Sequence, residues 1–126
     1  MDRYTSNSST FIIDDKAFYS CKNLSYPIVI PPKSVTHIGD SAFERCDKLT
    51  LISLGESVKT IGSYAFYKCS KLTIITTNSV NYGNYIGPSL TTIGNHAFDG
   101  INASTAILNP SLVELGFLAF ANCPKL

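Results

Sequence analysis

Apolar residues in this chain recur in short alternating segments cut by turn residues, without the 3.6-residue spacing of an amphipathic helix. LTLISL, residues 49–54, is the clearest: Leu49, Ile52 and Leu54 fall on one side, and Gly55 ends the run. A second short segment, VKTIG at residues 58–62, follows at once. Both patterns predict strands of a few residues. Neither strand can bury its apolar side alone, so the pattern predicts units stacked side by side.

The segments repeat as a phrase. VTHIGDSAFERC at residues 35–46 returns as VKTIGSYAFYKC at residues 58–69. Aligned on Ala-Phe, five copies appear, and the phenylalanines are 25, 23, 32 and 22 residues apart. The unit is therefore about 23 residues, with extra residues in the first copy and a larger insertion, residues 78–88, in the third. The predicted core is a set of columns, one member per unit. Ala17, Ala42, Ala65, Ala97 and Ala119 form one; Phe18, Phe43, Phe66, Phe98 and Phe120 form the next. Cys21, Cys46, Cys69 and Cys123 form a third, in which Ile101 takes the place of cysteine in the fourth copy. Upstream stand Ile38-Gly39, Ile61-Gly62, Ile93-Gly94 and Leu115-Gly116, where glycine is expected to supply the backbone angles that let the chain leave the second strand. SAFERC and its counterparts are expected to form short helical or 3₁₀ turns. Five such units would make a slab about 25 Å along its axis.

Leu-x-x-Ile-x-Leu followed by Ser-Val-x-x-Ile-Gly-x-x-Ala-Phe-x-x-Cys resembles the leucine-rich repeats of the BspA-like type, over all but the first ten or so residues. The resemblance implies a right-handed solenoid with a parallel sheet. It also implies a place among surface and secreted proteins of bacteria and parasitic protists, where such repeats are linked to adhesion. It brings no catalytic residues. The expected organisation is a polar segment over residues 1–10, then one solenoid domain over residues 11–126 that stops in mid-phrase.

Composition narrows the function classes. With 126 residues and 44% hydrophobic content, the chain can bury a core. A net charge of +1 gives no global electrostatic reason to expect nucleic acid or insertion at an anionic membrane, and no apolar run approaches a bilayer span. The opening ten residues have no apolar core of signal-peptide type, so the compartment stays open between cell surface and cytoplasm.

The residue types that carry chemistry fall into repeat positions. No close Cys-x₂₋₄-Cys pair suggests a metal, and isoleucine in one copy replaces a buried hydrophobe but not a ligand. The cysteines are expected to be buried free thiols. His37 and His96 are read as surface histidines, Asp14, Asp15, Asp40 and Glu44 as solvated turn residues, and no cofactor is expected. The expected class is therefore non-enzymatic.

Function is expected where the phrase is interrupted. The insertion carries Tyr82 and Tyr85, and inserted loops in solenoids often lie at a binding face. Along the first strand, alternation turns Leu51 and Ser53 outward in copy two, Ile74 and Thr76 in copy three, with Tyr26, Val29 and Ile107 in the neighbouring copies. Two readings follow. One is a module that binds a protein or glycan; the other is a scaffold subunit that stacks through the uncapped C-terminal end around Leu126.

Overall fold

The structure, a computed structural model, describes residues 11–31, 34–76 and 85–126. Among the described residues ten short strands follow one another: β1 (Phe11–Ile13), β2 (Ile28–Val29), β3 (Val35–Ile38), β4 (Leu51–Ser53), β5 (Thr60–Ile61), β6 (Ile74–Thr76), β7 (Tyr85–Ile86), β8 (Thr92–Ile93), β9 (Ile107–Leu108) and β10 (Glu114–Leu115). The second segments of the units assemble into a five-stranded parallel sheet in the order β1-β3-β5-β8-β10. The first segments form a parallel sheet β2-β4-β6 and a separate pair β7-β9. Each strand lies beside the one from the preceding unit, which makes the chain a β-solenoid, with four turns between the five strands of the larger sheet. The smaller sheet breaks in the third unit, where the inserted stretch begins.

Stacked phenylalanines form the axis of the core. Phe18, Phe43, Phe66, Phe98 and Phe120 follow one another at ring separations of 5.1, 5.2, 5.2 and 5.2 Å, with planes within 10° of parallel. The spacing is close to the strand repeat, as it must be when one ring is contributed per unit. Ala42, Ala65, Ala97, Cys46 and Cys69 are fully buried beside them, and Ile101 is buried in the cysteine column. The columns are as the sequence predicts, but most of their outer members, Ala119 excepted, are not core. Phe18 is 41% exposed, Leu115 and Ala17 are exposed, and Phe120, Cys21 and Cys123 are half-buried. A side chain at either end of the described stack has a neighbour on one side only.

The turns are not helical. Among the described residues no α-helical or 3₁₀ segment occurs; residues 40–45 and their counterparts form consecutive turns. In each Ala-Phe turn two residues have left-handed φ. One precedes the alanine: Lys16, Ser41, Tyr64, His96 and Leu118. The other is the second after phenylalanine: Ser20, Arg45, Lys68, Gly100 and Asn122. Left-handed residues cannot continue a right-handed helix. They divide the backbone donors into two alternating sets. The N–H groups of Ala42, Glu44 and Cys46 close local turns on Gly39, Ser41 and Phe43, whereas those of Ser41, Phe43 and Arg45 donate along the axis to Ser63, Ala65 and Tyr67. The same division recurs one unit later from Tyr64, Phe66 and Lys68 to Asn95, Ala97 and Asp99. This ladder offsets the conformational cost of the left-handed positions.

The reason for glycine after isoleucine also differs from expectation. Gly39, Gly62, Gly94 and Gly116 do not have positive φ. Each packs its α-carbon against the backbone of the preceding unit, so lack of a side chain is what the position requires. Polar side chains complete this corner. Asp15 Oδ1 accepts from the Asp40 N–H, Asp40 Oδ1 from the Ser63 N–H, and Asn95 Oδ1 from the Phe117 N–H. Asp15 and Asp40 thus cap backbone groups of the next unit.

Candidate binding surface

The outward side of the β2-β4-β6 sheet is set by its register. Ile28 pairs with Ile52 and Ile52 with Ile75, and these point inward. Leu51 pairs with Ile74, and Val29, Ser53 and Thr76 stand level with one another. Tyr26 is 75% exposed, Val29 63%, and Ile74 is also exposed. Three parts of the expected row need correction. Ser53 is 3% exposed, closed over by the units on both sides, and Leu51 and Thr76 are half-buried. Counting back from the Ile28–Ile52 pair, Pro27 and not Tyr26 stands level with Leu51, because the two extra residues of the first copy shift the register. Ile107 is exposed but pairs with Tyr85 and not with Ile74, so the row does not run on across the insertion. Tyr82 lies outside the described residues. Tyr85 is described as the first residue of β7, and its side chain lies outside the description.

The four cysteines are free thiols. Their Sγ–H groups donate along the axis: Cys46 to the Phe18 carbonyl at 3.0 Å, Cys69 to that of Phe43 at 3.0 Å, and Cys123 to that of Phe98 at 3.3 Å. Burial pushes the Cys46 thiol up to about 11 and raises Cys69 and Cys123 as well. Such thiols are poor nucleophiles. The sign for stability is definite. In the unfolded chain they ionise near pH 9 while the folded state keeps them protonated, so their contribution is complete below pH 9 and is lost as pH rises toward 11. The urea midpoint is expected to fall between pH 9 and 10.5, and to fall less in Cys46→Ala. An equal fall in both proteins would remove Cys46 as a cause.

The corner carrying the Ala-Phe turns holds a cluster that the linear sequence does not announce. His96 is half-buried and not a free surface residue. Its Nδ1 is 2.9 Å from Asp99 Oδ2, while Asp99 Oδ1 accepts from Asn122 Nδ2 at 2.9 Å. The His96 ring stacks on Tyr64 at 4.7 Å, and Tyr64 meets Tyr67 edge to face at 5.1 Å. Arg45 and Lys68 lie 5.8 and 5.4 Å from the centre of the Tyr67 ring. A recess of about 220 Å³, lined by Lys22, Arg45, Asp47, Lys68, Ser70 and Gly100, opens beside them. The available signal was columnar: Tyr64 and His96 occupy one repeat position in adjacent units, as do Arg45 and Lys68. His37 is exposed and shares a hydrogen bond with Thr36 at 2.7 Å. Asp14, Asp15, His37 and Asp40 line a separate shallow groove.

Residues 83–126 match the family model described as "BspA type Leucine rich repeat region (6 copies)". Among solved structures, the chain is similar to a leucine-rich repeat protein from Bacteroides ovatus ATCC 8483. The two are 33% identical with a TM-score of 0.79, over 91% of this chain and 27% of that one. A T. pallidum leucine-rich repeat protein is similar at 23% identity and a TM-score of 0.47, over 91% of this chain and 71% of that one. The chain spans about a quarter of the length of the Bacteroides protein. No curated protein matches it.

Proposed function

Because the chain belongs to the BspA-type leucine-rich repeats, we propose that it is a non-enzymatic binding module which holds a protein or glycan partner in a cell-surface, adhesion-type setting. The observation that carries this reading is the exposure of the apolar side chains Val29 and Ile74 on the outward side of the β2-β4-β6 sheet, with Tyr26 exposed just ahead of β2. Apolar groups gathered on a regular rigid surface favour contact with a partner. Tyrosine adds a large flat area with a polar tip. The chemistry on this face is that of recognition, and it carries no paired nucleophile and base.

The test is capture of partners from cell-surface extracts, followed by titration of each against variants. Tyr26→Ala and Ile74→Asp are expected to weaken binding at least tenfold while leaving the unfolding midpoint nearly unchanged, since both side chains face solvent. Tyr82→Ala with Tyr85→Ala assigns the contribution of the insertion. Full affinity in all four variants would remove both surfaces.

A second reading has its own observation. Val113 is 85% exposed and Phe117 70%, and Leu115 between them is also exposed, at the strand β10 whose one side no described strand pairs. An assembly subunit would join other chains there. In that case Val113→Asp changes the mass measured by light scattering, and the strand-face variants do not.

A further inference from the structure

The left-handed positions of the turns are where the side chains of this molecule are hardest to explain by fold alone. The second residue after phenylalanine is Gly100 in the fourth unit and Asn122 in the fifth, the residue types that accept positive φ most readily. In the second and third units the same position carries Arg45 and Lys68, at φ 62° and 57°. Lys68 is exposed and Arg45 half-buried, and neither fills the core. Long cationic side chains thus stand at this position in two adjacent units, where the backbone ladder sets the angle but does not call for a charge.

The two cations converge. They lie 5.8 and 5.4 Å from the centre of the Tyr67 ring and line one recess of about 220 Å³ together with Lys22. The carboxylates near them are already engaged: Asp47 pairs with Lys22 at 3.1 Å, and Glu44 lies 3.6 Å from Arg45 Nε. Among the described residues no carboxylate is within ion-pairing distance of Lys68. The recess therefore combines an unpaired lysine charge with a guanidinium suited to a planar or tetrahedral oxyanion, and both cations also border the Tyr67 ring.

Size and charge decide the ligand class. A nucleic acid is held through many phosphates, commonly six to ten, and this surface offers three cations on a chain of net charge +1. A space of this volume accepts one sugar ring bearing one anionic group. We propose that the recess formed by Arg45 and Lys68 beside Tyr67 binds an anionic residue of an acidic glycan, through its sulfate or carboxylate. The site is separate from the outward strand face, so its failure and that of the proposed function are distinguishable.

Asn122 supplies the design of the test. Arg45→Asn and Lys68→Asn place in the second and third units the residue that the fifth unit already uses, so both variants are expected to fold with an unchanged or higher melting temperature. The probe is a sulfated, uronate-containing tetrasaccharide titrated calorimetrically in physiological salt, alongside its desulfated form and a neutral tetrasaccharide. The expected result is binding of the sulfated or the desulfated acidic form, which identifies the anion, no binding of the neutral one, and about tenfold weakening in each variant. Lys59→Asn, which removes the same charge far from the recess, is expected to bind as the unaltered protein does. The proposal is overturned by unchanged affinity in Arg45→Asn and Lys68→Asn, by an equal loss in Lys59→Asn, or by absence of binding to either acidic form. Equal affinity for an oligothymidylate would overturn it too, since that marks a surface for polyanions in general.

Discussion

Replacement of Phe66 by alanine is expected to lower the unfolding free energy by about 4 kcal/mol, and that of Phe18 by far less. Phe66 has no exposed surface and lies between Phe43 and Phe98, each 5.2 Å away, so the truncation opens a cavity whose walls are two rings fixed by the backbone ladder. A ring in such a column loses its own transfer energy and also two aromatic contacts of about 0.5–1.5 kcal/mol each. Among the described residues Phe18 has one ring neighbour, and it is 41% exposed, so water already reaches its site. Whole domains are stable by only about 5–15 kcal/mol, which makes the Phe66 loss a large share. In a stack where each unit touches only its neighbours, the loss also uncouples the two halves, so the urea transition should broaden as well as shift. Urea titration followed by circular dichroism reads both effects. Equal costs at Phe66 and Phe18 would show that the column does not carry the stability assigned to it.

The parts of the fold visible in the sequence are those set by side-chain burial. Phe43, Phe66, Ala42, Cys46 and the substitution of Ile101 for cysteine are legible because burial dictates residue type in every unit. The turn conformation is not, because most of its left-handed residues, Lys16, Ser20, Ser41, Arg45, Tyr64, Lys68 and Leu118, are types that give no signal of positive φ. The ladder of N–H groups donating to the next unit overrides their local preference, and that ladder is a property of stacking. Ser53 differs for a related reason. Alternation assigns it outward, yet in the middle strand of the sheet, between Val29 and Thr76, it is 3% exposed. For the candidate surfaces, exposure of Ile74 follows from alternation, whereas Tyr26 lies ahead of β2 and is exposed out of that register. The cluster of Arg45, Tyr67, Lys68 and His96 becomes visible only when residues 23 to 32 apart are read as columns.

Gly94→Ala is expected to cost about 3 kcal/mol, more than Gly100→Ala, although Gly100 is the one with left-handed φ. A β-carbon on Gly94 would lie 2.5 Å from the Ser63 nitrogen, 2.6 Å from the Gly62 carbonyl carbon and 2.8 Å from the Ser63 α-carbon. All three are backbone atoms held in the ladder, so no side chain can swing aside, and relief requires parting of the third and fourth units. The Gly94 N–H donates to the Ile61 carbonyl at 2.8 Å immediately beside the clash, and parting the units stretches that bond and its neighbours. At Gly100 a β-carbon would come no closer than 3.4 Å to the Lys68 backbone, an ordinary contact, and the cost reduces to the left-handed φ of +87°, about 1–2 kcal/mol. The order of the two losses, measured by urea titration, separates steric closeness from backbone angle as the reason for glycine after isoleucine. A greater loss at Gly100 would return the explanation to backbone angle. The expected order identifies Gly39, Gly62, Gly94 and Gly116 as the column that sets how closely the units stack, and hence the spacing at which the phenylalanines meet.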